Sequence, residues 1–288
     1  MKRAESKRPS IAGRLRARRL GAFALLVPLL ARGATPPRVV SINPCIDAVL
    51  MQVAQPDQIL AISHYSQDPA ATTIPLDVAN RFRVTSGTAE EVVALAPDLV
   101  MSGPHVAPST IFALERMHVR IRKYRVPESI AESEQQIRDI AAAVGAPERG
   151  EGLISAIDAA IAAARPRDER RIAALIWQGG GMVPGQGTLA DQLLNLTGFE
   201  NYSARYGLAK WDVLPLEYLL SQPPELVLSV GASNTEQDRM LGHPAVRALA
   251  RRVAFRLYPF RLMSCAGPSI IDAVGRLAEV HREMEARR

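Results

Sequence analysis

The sequence has few of the residues from which metal centres are built. It contains two cysteines and five histidines in 288 residues. No two histidines lie at i,i+4 on a helix, and there is no C-x-x-C motif, so we expect no protein-bound metal and no cofactor. His118 and His281 are interpreted as surface or packing residues. His64 and His105 follow strands and are better placed to face a cleft.

Motifs of the common catalytic and nucleotide-binding sites are also missing. The Gly-rich loop at residues 178–187 has neither G-x-G-x-x-G nor the lysine of a phosphate-binding loop. No G-x-S-x-G occurs, so no nucleophile elbow is indicated. The sequence therefore predicts a protein that is not an enzyme. An exported α/β enzyme is the alternative, and it would need a nucleophile or a paired acid and base.

The excess of positive charge is confined to one end of the chain. The net charge is +6, but residues 1–34 hold nine Lys and Arg against one acid, which leaves 26 basic and 28 acidic residues elsewhere. A nucleic-acid-binding protein needs a basic face on its folded domain. We therefore expect no nucleic-acid partner.

Long hydrophobic runs are absent apart from one near the start. The twelve apolar residues 20–31 follow a basic segment and precede small residues, which is the pattern of an export signal and too short to span a bilayer. Residues 1–34 are predicted to be a signal peptide and the rest a soluble periplasmic protein. The alternatives are an uncleaved anchor and, from Arg18 and Arg19, twin-arginine export.

Strands alternate with helices through most of the remaining chain, which predicts an α/β fold with mainly parallel sheets. Residues 148–165 break this alternation, because they form one apolar stripe at helical spacing with no strand before it. We predict two Rossmann-like lobes, at residues 35–147 and 167–288, joined by one rigid helix at residues 148–166.

One stretch of sequence occurs twice and supports this division. Residues 90–100 and residues 217–227 each place a Glu seven residues before a Pro, an acid after the Pro and Leu-Val at the start of a strand. A pattern repeated about 127 residues apart suggests two similar lobes.

Aromatic residues make up only 5% of the chain, so their positions are informative. Tyr65, Trp177 and Trp211 are placed by the pattern in loops or at strand ends, where open α/β sheets bind ligands. They are the candidate ligand-binding aromatics. For Trp177 the alternative is packing beneath its own loop.

Several segments in a fixed order resemble one known family, the class III periplasmic substrate-binding proteins of ABC importers, of the cobalamin and ferric-siderophore type. The matching segments are residues 38–44, 62–66, 90–100, 183–189, 211–227 and 267–271. The resemblance covers residues 37–286. It implies two lobes around a long helix, a shallow ligand cleft and a monomer with little hinge motion.

The resemblance gives the repeated glutamates a role. In this family one surface Glu on each lobe docks onto arginines of the membrane permease, and Glu90 and Glu217 occupy those positions. The implied partners are the permease and ATPase subunits of an importer in the inner membrane. Glu91 is a competing choice, and each Glu also favours the N-terminus of its own helix.

The bound ligand implied by the resemblance is a cobalt or iron chelate. Tyr65 and Trp211 match cleft aromatics of the cobalamin-binding member, but a Trp of that member is replaced here by residues 84–86. Arg261 and Met263 also differ from it, and Arg261 suits an anionic ferric siderophore. Haem, with Tyr65 or a Met as ligand, and a free metal ion are the further alternatives.

The same resemblance places both cysteines beside the cleft. Cys45 opens the first helix of the first lobe, and Cys265 precedes the last helix of the second. They are expected either to form a disulfide between the lobes or to present thiols to the ligand. Two unrelated small buried residues are the alternative.

Overall fold

The computed structural model describes residues 35–231 and 242–287. The predicted signal peptide and its arginine pair lie outside the described residues. From Pro36 onward the chain forms one compact unit. None of the helices in the described part is both long and apolar enough to cross a membrane.

The first lobe is built on a five-stranded parallel sheet of order β3-β2-β1-β4-β5. Its central strands are buried on both faces, which is why they read as short continuous apolar runs. In chain order the elements are β1 (Val39–Ser41), α1 (Pro44–Val53), β2 (Ile59–Ser63), α2 (Leu76–Ala79), β3 (Val84–Thr85), α3 (Ala89–Ala94), β4 (Leu99–Ser102), α4 (Pro108–Arg116), β5 (Ile121–Lys123) and α5 (Ile130–Ala143).

The second lobe repeats this plan with a four-stranded parallel sheet of order β11-β10-β6-β8, and adds a two-stranded antiparallel ribbon of β7 and β9. The prediction of two mainly parallel α/β lobes is confirmed. The elements are β6 (Ile172–Trp177), β7 (Met182–Pro184), α7 (Leu189–Leu196), β8 (Phe199–Asn201), β9 (Trp211–Val213), α8 (Leu216–Ser221), β10 (Leu226–Ser229), α9 (Pro244–Leu249), β11 (Ala254–Leu257) and α10 (Ser269–Ala286).

A single long helix, α6 (Pro147–Ala164), connects the two sheets along the chain. Pro147 suits the first turn of a helix, and Arg165 is extended because a proline follows it. The apolar stripe of α6 is buried against α1, α5 and α10. Gly150 allows the closest approach, because a Cβ there would lie 2.6 Å from the Cβ of Ala141 on α5.

The repeated sequence forms equivalent structures in the two lobes. Residues 90–100 run from α3 into β4, and residues 217–227 run from α8 into β10. β4 pairs with β1 and β10 pairs with β6, so each copy supplies the strand beside its lobe's first strand.

The acid that follows the proline has the same role in each copy. Asp98 accepts a hydrogen bond from the backbone N–H of Arg38 (2.8 Å), at the start of β1. Glu225 accepts one from the backbone N–H of Ala173 (3.3 Å), at the start of β6. Each acid also pairs with an arginine. In both lobes the repeat therefore places an acid just before one strand, where it hydrogen-bonds to the start of the neighbouring strand.

Candidate functional site

Tyr65 lies on a single 3-10 turn, His64–Gln67, that follows the carboxyl end of β2. Its side chain is 53% exposed. The His64 ring packs against it with centroids 4.0 Å apart, and His64 Nδ1 lies 3.3 Å from the carbonyl oxygen of Thr85. The phenol therefore projects from a turn that neighbouring side chains hold in place.

A buried carboxyl group lies beneath this turn. Asp47 Oδ2 accepts hydrogen bonds from the backbone N–H of Ser63 (2.8 Å) and the hydroxyl of Ser66 (2.7 Å), on either side of Tyr65. Burial raises the pKa of Asp47 to about 7, although these hydrogen bonds act in the opposite direction. Among the described residues, Oδ1 has no hydrogen-bond partner. Sequence reasoning missed Asp47 because it is hidden in the apolar stripe of α1.

Trp211 opens β9 and is 45% exposed. It pairs with Pro184 across the ribbon, and Val213 pairs with Met182. Trp211 and Val213 are two residues apart on one strand and share a face, and Met182 is also exposed. The ribbon thus presents a small apolar surface, and alternation along β9 is the only sequence signal for it.

Trp177 corrects one of the sequence predictions, because it is fully buried and offers no surface to a ligand. It ends the central strand β6, beside Ser229 of β10, and belongs to a core cluster with Tyr202. A Cβ at Gly181 would lie 3.6 Å from its ring, so the Gly-rich loop covers the indole. Strand β6 lies between β10 and β8, inside the lobe. The side chain of its last residue, Trp177, therefore points into the core.

Arg261 and Met263 lie where β11 turns into α10. Arg261 is on the 3-10 turn Phe260–Leu262, 3.8 Å from a carboxylate oxygen of Asp272. It lines a cavity of about 520 Å³ whose walls all belong to the second lobe. Met263 is half-buried against the core. The charge of Arg261 is partly offset by Asp272, which weakens the argument for an anionic siderophore.

A disulfide joins Cys45 to Cys265, with Cα atoms 5.2 Å apart. Asn43 positions the first cysteine, because its side chain caps α1 by accepting from the backbone N–H groups of Cys45 and Ile46. The two cysteines belong to different lobes, and in this disulfide neither presents a free thiol. The bond is therefore a covalent link between the lobes.

Three noncovalent links accompany the disulfide. Gly267 N–H donates to the hydroxyl of Ser133 on α5 (2.9 Å). The backbone N–H of Ile130 donates to the side-chain oxygen of Gln192 on α7 (3.0 Å). Lys210, which precedes Trp211, pairs with Glu128 of the first lobe. The ribbon that carries Trp211 is thus tied to the first lobe.

The two candidate docking residues occupy the same position in their helices. Glu90 is the second residue of α3 and Glu217 the second residue of α8, and both are exposed. Glu91 differs, because its carboxylate accepts from the Thr85 hydroxyl (2.7 Å) and the Ser86 N–H (2.7 Å). These bonds lower the pKa of Glu91. The Glu91 carboxylate is therefore bound within its own lobe, whereas the Glu90 side chain is exposed.

Two α/β lobes joined by one helix, with one exposed aromatic on a turn after β2 and another on the ribbon of the second lobe, are the features of a two-lobed binding protein. The chain belongs to the periplasmic binding protein family, whose family model matches residues 39–252. No curated protein matches the sequence.

Solved structures share the fold at low sequence identity. The apo periplasmic haem-binding protein RhuT from Roseiflexus sp. RS-1 is 22% identical, with a TM-score of 0.68 and coverage of 86% of this chain and 99% of that one. The haem-binding protein HutB of Vibrio cholerae is 15% identical, with a TM-score of 0.69 and coverage of 85% and 98%. The vitamin B12-binding protein BtuF of Vibrio cholerae is 16% identical, with a TM-score of 0.65 and coverage of 87% and 98%.

Proposed function

We propose that this chain is the exported substrate-binding component of an ABC importer and that it captures a flat metal chelate, with haem as the first candidate. The observation that carries the proposal is the exposed Tyr65 phenol on a turn held by Asp47. A tyrosine oxygen is an established axial ligand for ferric haem iron. The chain binds and delivers its ligand and does not transform it.

The surrounding groups suit a planar, largely apolar ligand. Trp211 and the apolar face of its ribbon offer a stacking surface. Cobalamin or a related corrinoid is the second candidate, because the same aromatic surface suits a corrin ring, and a vitamin B12-binding protein shares the fold. A ferric siderophore ranks lower, since Arg261 is already close to Asp272.

The ligand is tested by titrating the purified chain with hemin, cyanocobalamin and a panel of ferric siderophores while absorbance and tryptophan fluorescence are recorded. We expect hemin to bind one to one with an altered Soret band. Tyr65→Phe should change that band and weaken binding at least about tenfold. Tyr218→Phe is the matched control, because Tyr218 is also an exposed tyrosine but lies on α8. A response to none of these ligands would reject the proposal.

Delivery to the permease is proposed to depend on Glu90 and Glu217. Two carboxylates on different lobes would fix the orientation of the protein on the permease at two points. Arginines of the permease could bind each carboxylate in a bidentate manner. The double variant Glu90→Gln, Glu217→Gln should retain ligand affinity and lose transport in a reconstituted importer. The control is Asp57→Asn with Asp158→Asn, which neutralises two other exposed acids. Weakened ligand binding in the first double variant would contradict this assignment.

A further inference from the structure

A cluster of three metal-ligating side chains lies away from the candidate ligand site. Asp168 is in the segment between α6 and β6, and His281 and Glu285 are one turn apart near the end of α10. One ligand atom from each lies within 4.8 Å of those of the other two. The loops around Arg261 follow the carboxyl ends of strands, whereas Asp168 precedes the amino end of β6. The cluster is therefore at the opposite edge of the second lobe.

The separations in the cluster fit coordination better than hydrogen bonding. His281 Nδ1 lies 3.8 Å from Glu285 Oε1, which is too far for a hydrogen bond. Two ligands that each lie about 2.0–2.2 Å from a tetrahedral zinc ion are themselves separated by roughly 3.3–3.6 Å. The imidazole and the carboxylate are close to this spacing, and a shift of a few tenths of an ångström by the exposed Glu285 side chain would let both bind one cation.

The histidine is an independent indication, because it is a buried polar group. His281 is only 4% exposed, and Nε2 has no hydrogen-bond partner in the part of the chain that the structure describes. The ring lies edge-to-face with Phe199, and a Cβ at Gly198 would lie 2.6 Å from Nε2. Packing on that side fixes the ring so that Nδ1 faces Glu285. Because the buried ring is already held in this orientation, Nδ1 would lose little conformational freedom on binding a cation.

The electrostatic setting also favours a cation. Asp168 and Glu285 together supply two negative charges on the exposed side of the cluster. His281 and Glu285 lie near the carboxyl end of α10, where the helix dipole attracts positive charge. Imidazole nitrogen and carboxylate oxygen are both among the atoms that bind zinc in proteins.

We propose that Asp168, His281 and Glu285 form a site for a divalent cation of the zinc type, with water as the fourth ligand. The ion joins the last turn of α10 to the segment that leads into β6. It is a structural ion and not the transported ligand, because the site is remote from Tyr65 and Trp211. Sequence reasoning treated His281 as a packing residue and overlooked the acid four positions later.

The test is a Zn²⁺ titration of the chelator-treated full chain by calorimetry, repeated with Co²⁺ to record its visible absorption band. We expect one Zn²⁺ per chain and a melting temperature that rises with zinc concentration. Asp168→Asn and Glu285→Gln replace exposed side chains, so both variants should fold. Each should weaken Zn²⁺ binding at least about tenfold, since loss of even an outer-shell partner costs about 10–100-fold.

Asp158→Asn is the matched control, because Asp158 is another exposed acid, on α6. It should bind Zn²⁺ as the unchanged chain does and show the same Co²⁺ band. The proposal is overturned if the unchanged chain binds no zinc, or if either Asp168→Asn or Glu285→Gln retains full affinity. Neither result depends on which chelate the cleft binds.

Discussion

The Asp47 carboxylate and the Ser66 hydroxyl are hydrogen-bonded at 2.7 Å, one residue beyond Tyr65. The same carboxylate oxygen accepts the backbone N–H of Ser63, so one buried group on α1 holds both sides of the turn that presents the candidate ligand-binding tyrosine. Asp47 lies two residues after Cys45. The first turn of α1 therefore carries both the carboxyl group that holds the Tyr65 turn and the disulfide that links the lobes.

The first prediction concerns the pH dependence that Asp47 confers on stability. Its pKa is about 7 in the folded protein and about 3.8 in the unfolded chain. The folded state therefore holds a proton between pH 4 and 7 that the unfolded chain has released. The contribution of Asp47 to the free energy of unfolding is complete below pH 4. It falls as pH rises to 7, by at most about 1.4 kcal/mol per pH unit.

Urea denaturation of the unchanged chain and Asp47→Asn at pH 5, 6, 7 and 8 measures this contribution. The difference in unfolding free energy between the two should change between pH 5 and 7 and level off above that. Asp57→Asn, at an exposed acid, should follow the unchanged chain. Parallel pH profiles for the unchanged chain and Asp47→Asn would contradict the burial argument.

The second prediction concerns the disulfide. It closes a loop of 220 residues, and in the chain-entropy account a loop of that size stabilises the folded state by up to about 5 kcal/mol. Replacing both cysteines by serine should lower the unfolding free energy by about 2–5 kcal/mol. Dithiothreitol should destabilise the unchanged chain and leave the double variant unaffected. Equal stability of the two proteins without reductant would show that the bond does not form.

The third prediction separates the two tryptophans. Trp177→Ala removes a fully buried ring and should cost about 3–5 kcal/mol of unfolding free energy. Trp211→Ala lies on the surface and should change stability by only about 0.5 kcal/mol. Acrylamide should quench the fluorescence of Trp177→Phe, which retains Trp211, far more than that of Trp211→Phe. Similar quenching of both variants would contradict the burial of Trp177.

The fourth prediction separates the two neighbouring glutamates. Glu91 accepts two hydrogen bonds that lower its pKa, so its stabilisation is present above its ordinary pKa and is lost as pH falls. Glu91→Gln should lower the melting temperature at pH 7 and reduce its dependence on acid pH. Glu90→Gln should change both far less, because it loses only the small attraction between its charge and the N-terminus of α3. A loss of stability in Glu90→Gln as large as that in Glu91→Gln would place that side chain in a structural role.

Several features of the fold could be predicted because they depend on local pattern. Alternating apolar strands and helices indicate parallel sheets, and the apolar stripe in residues 148–165 indicates a long helix packed on one side. The repeated Glu, Pro and acid reveal two similar lobes, since an acid placed just before a strand bonds to the neighbouring strand in both copies.

The candidate site was less predictable, because the relevant signals are contacts between distant residues. Trp177 and Trp211 both lie close to Gly-rich or polar loops, yet one is covered by its own loop and the other lies on a two-stranded ribbon. In the sequence Asp47 is one polar residue of an amphipathic helix. Its role becomes apparent only from its hydrogen bonds to the turn that carries Tyr65. Such differences arise from packing and leave no trace in local spacing.

For this protein the sequence alone determined the α/β class, the two-lobed plan and the repeated glutamates, because periodicity and helix-end chemistry act over a few neighbouring residues. Only the tertiary structure decided that Glu90 points outward while Glu91 is bound to Thr85 and Ser86, that Trp177 is core, and that Asp168, His281 and Glu285 converge. Burial, desolvation and convergence depend on residues far apart in the chain, so they become visible only once the lobes have folded.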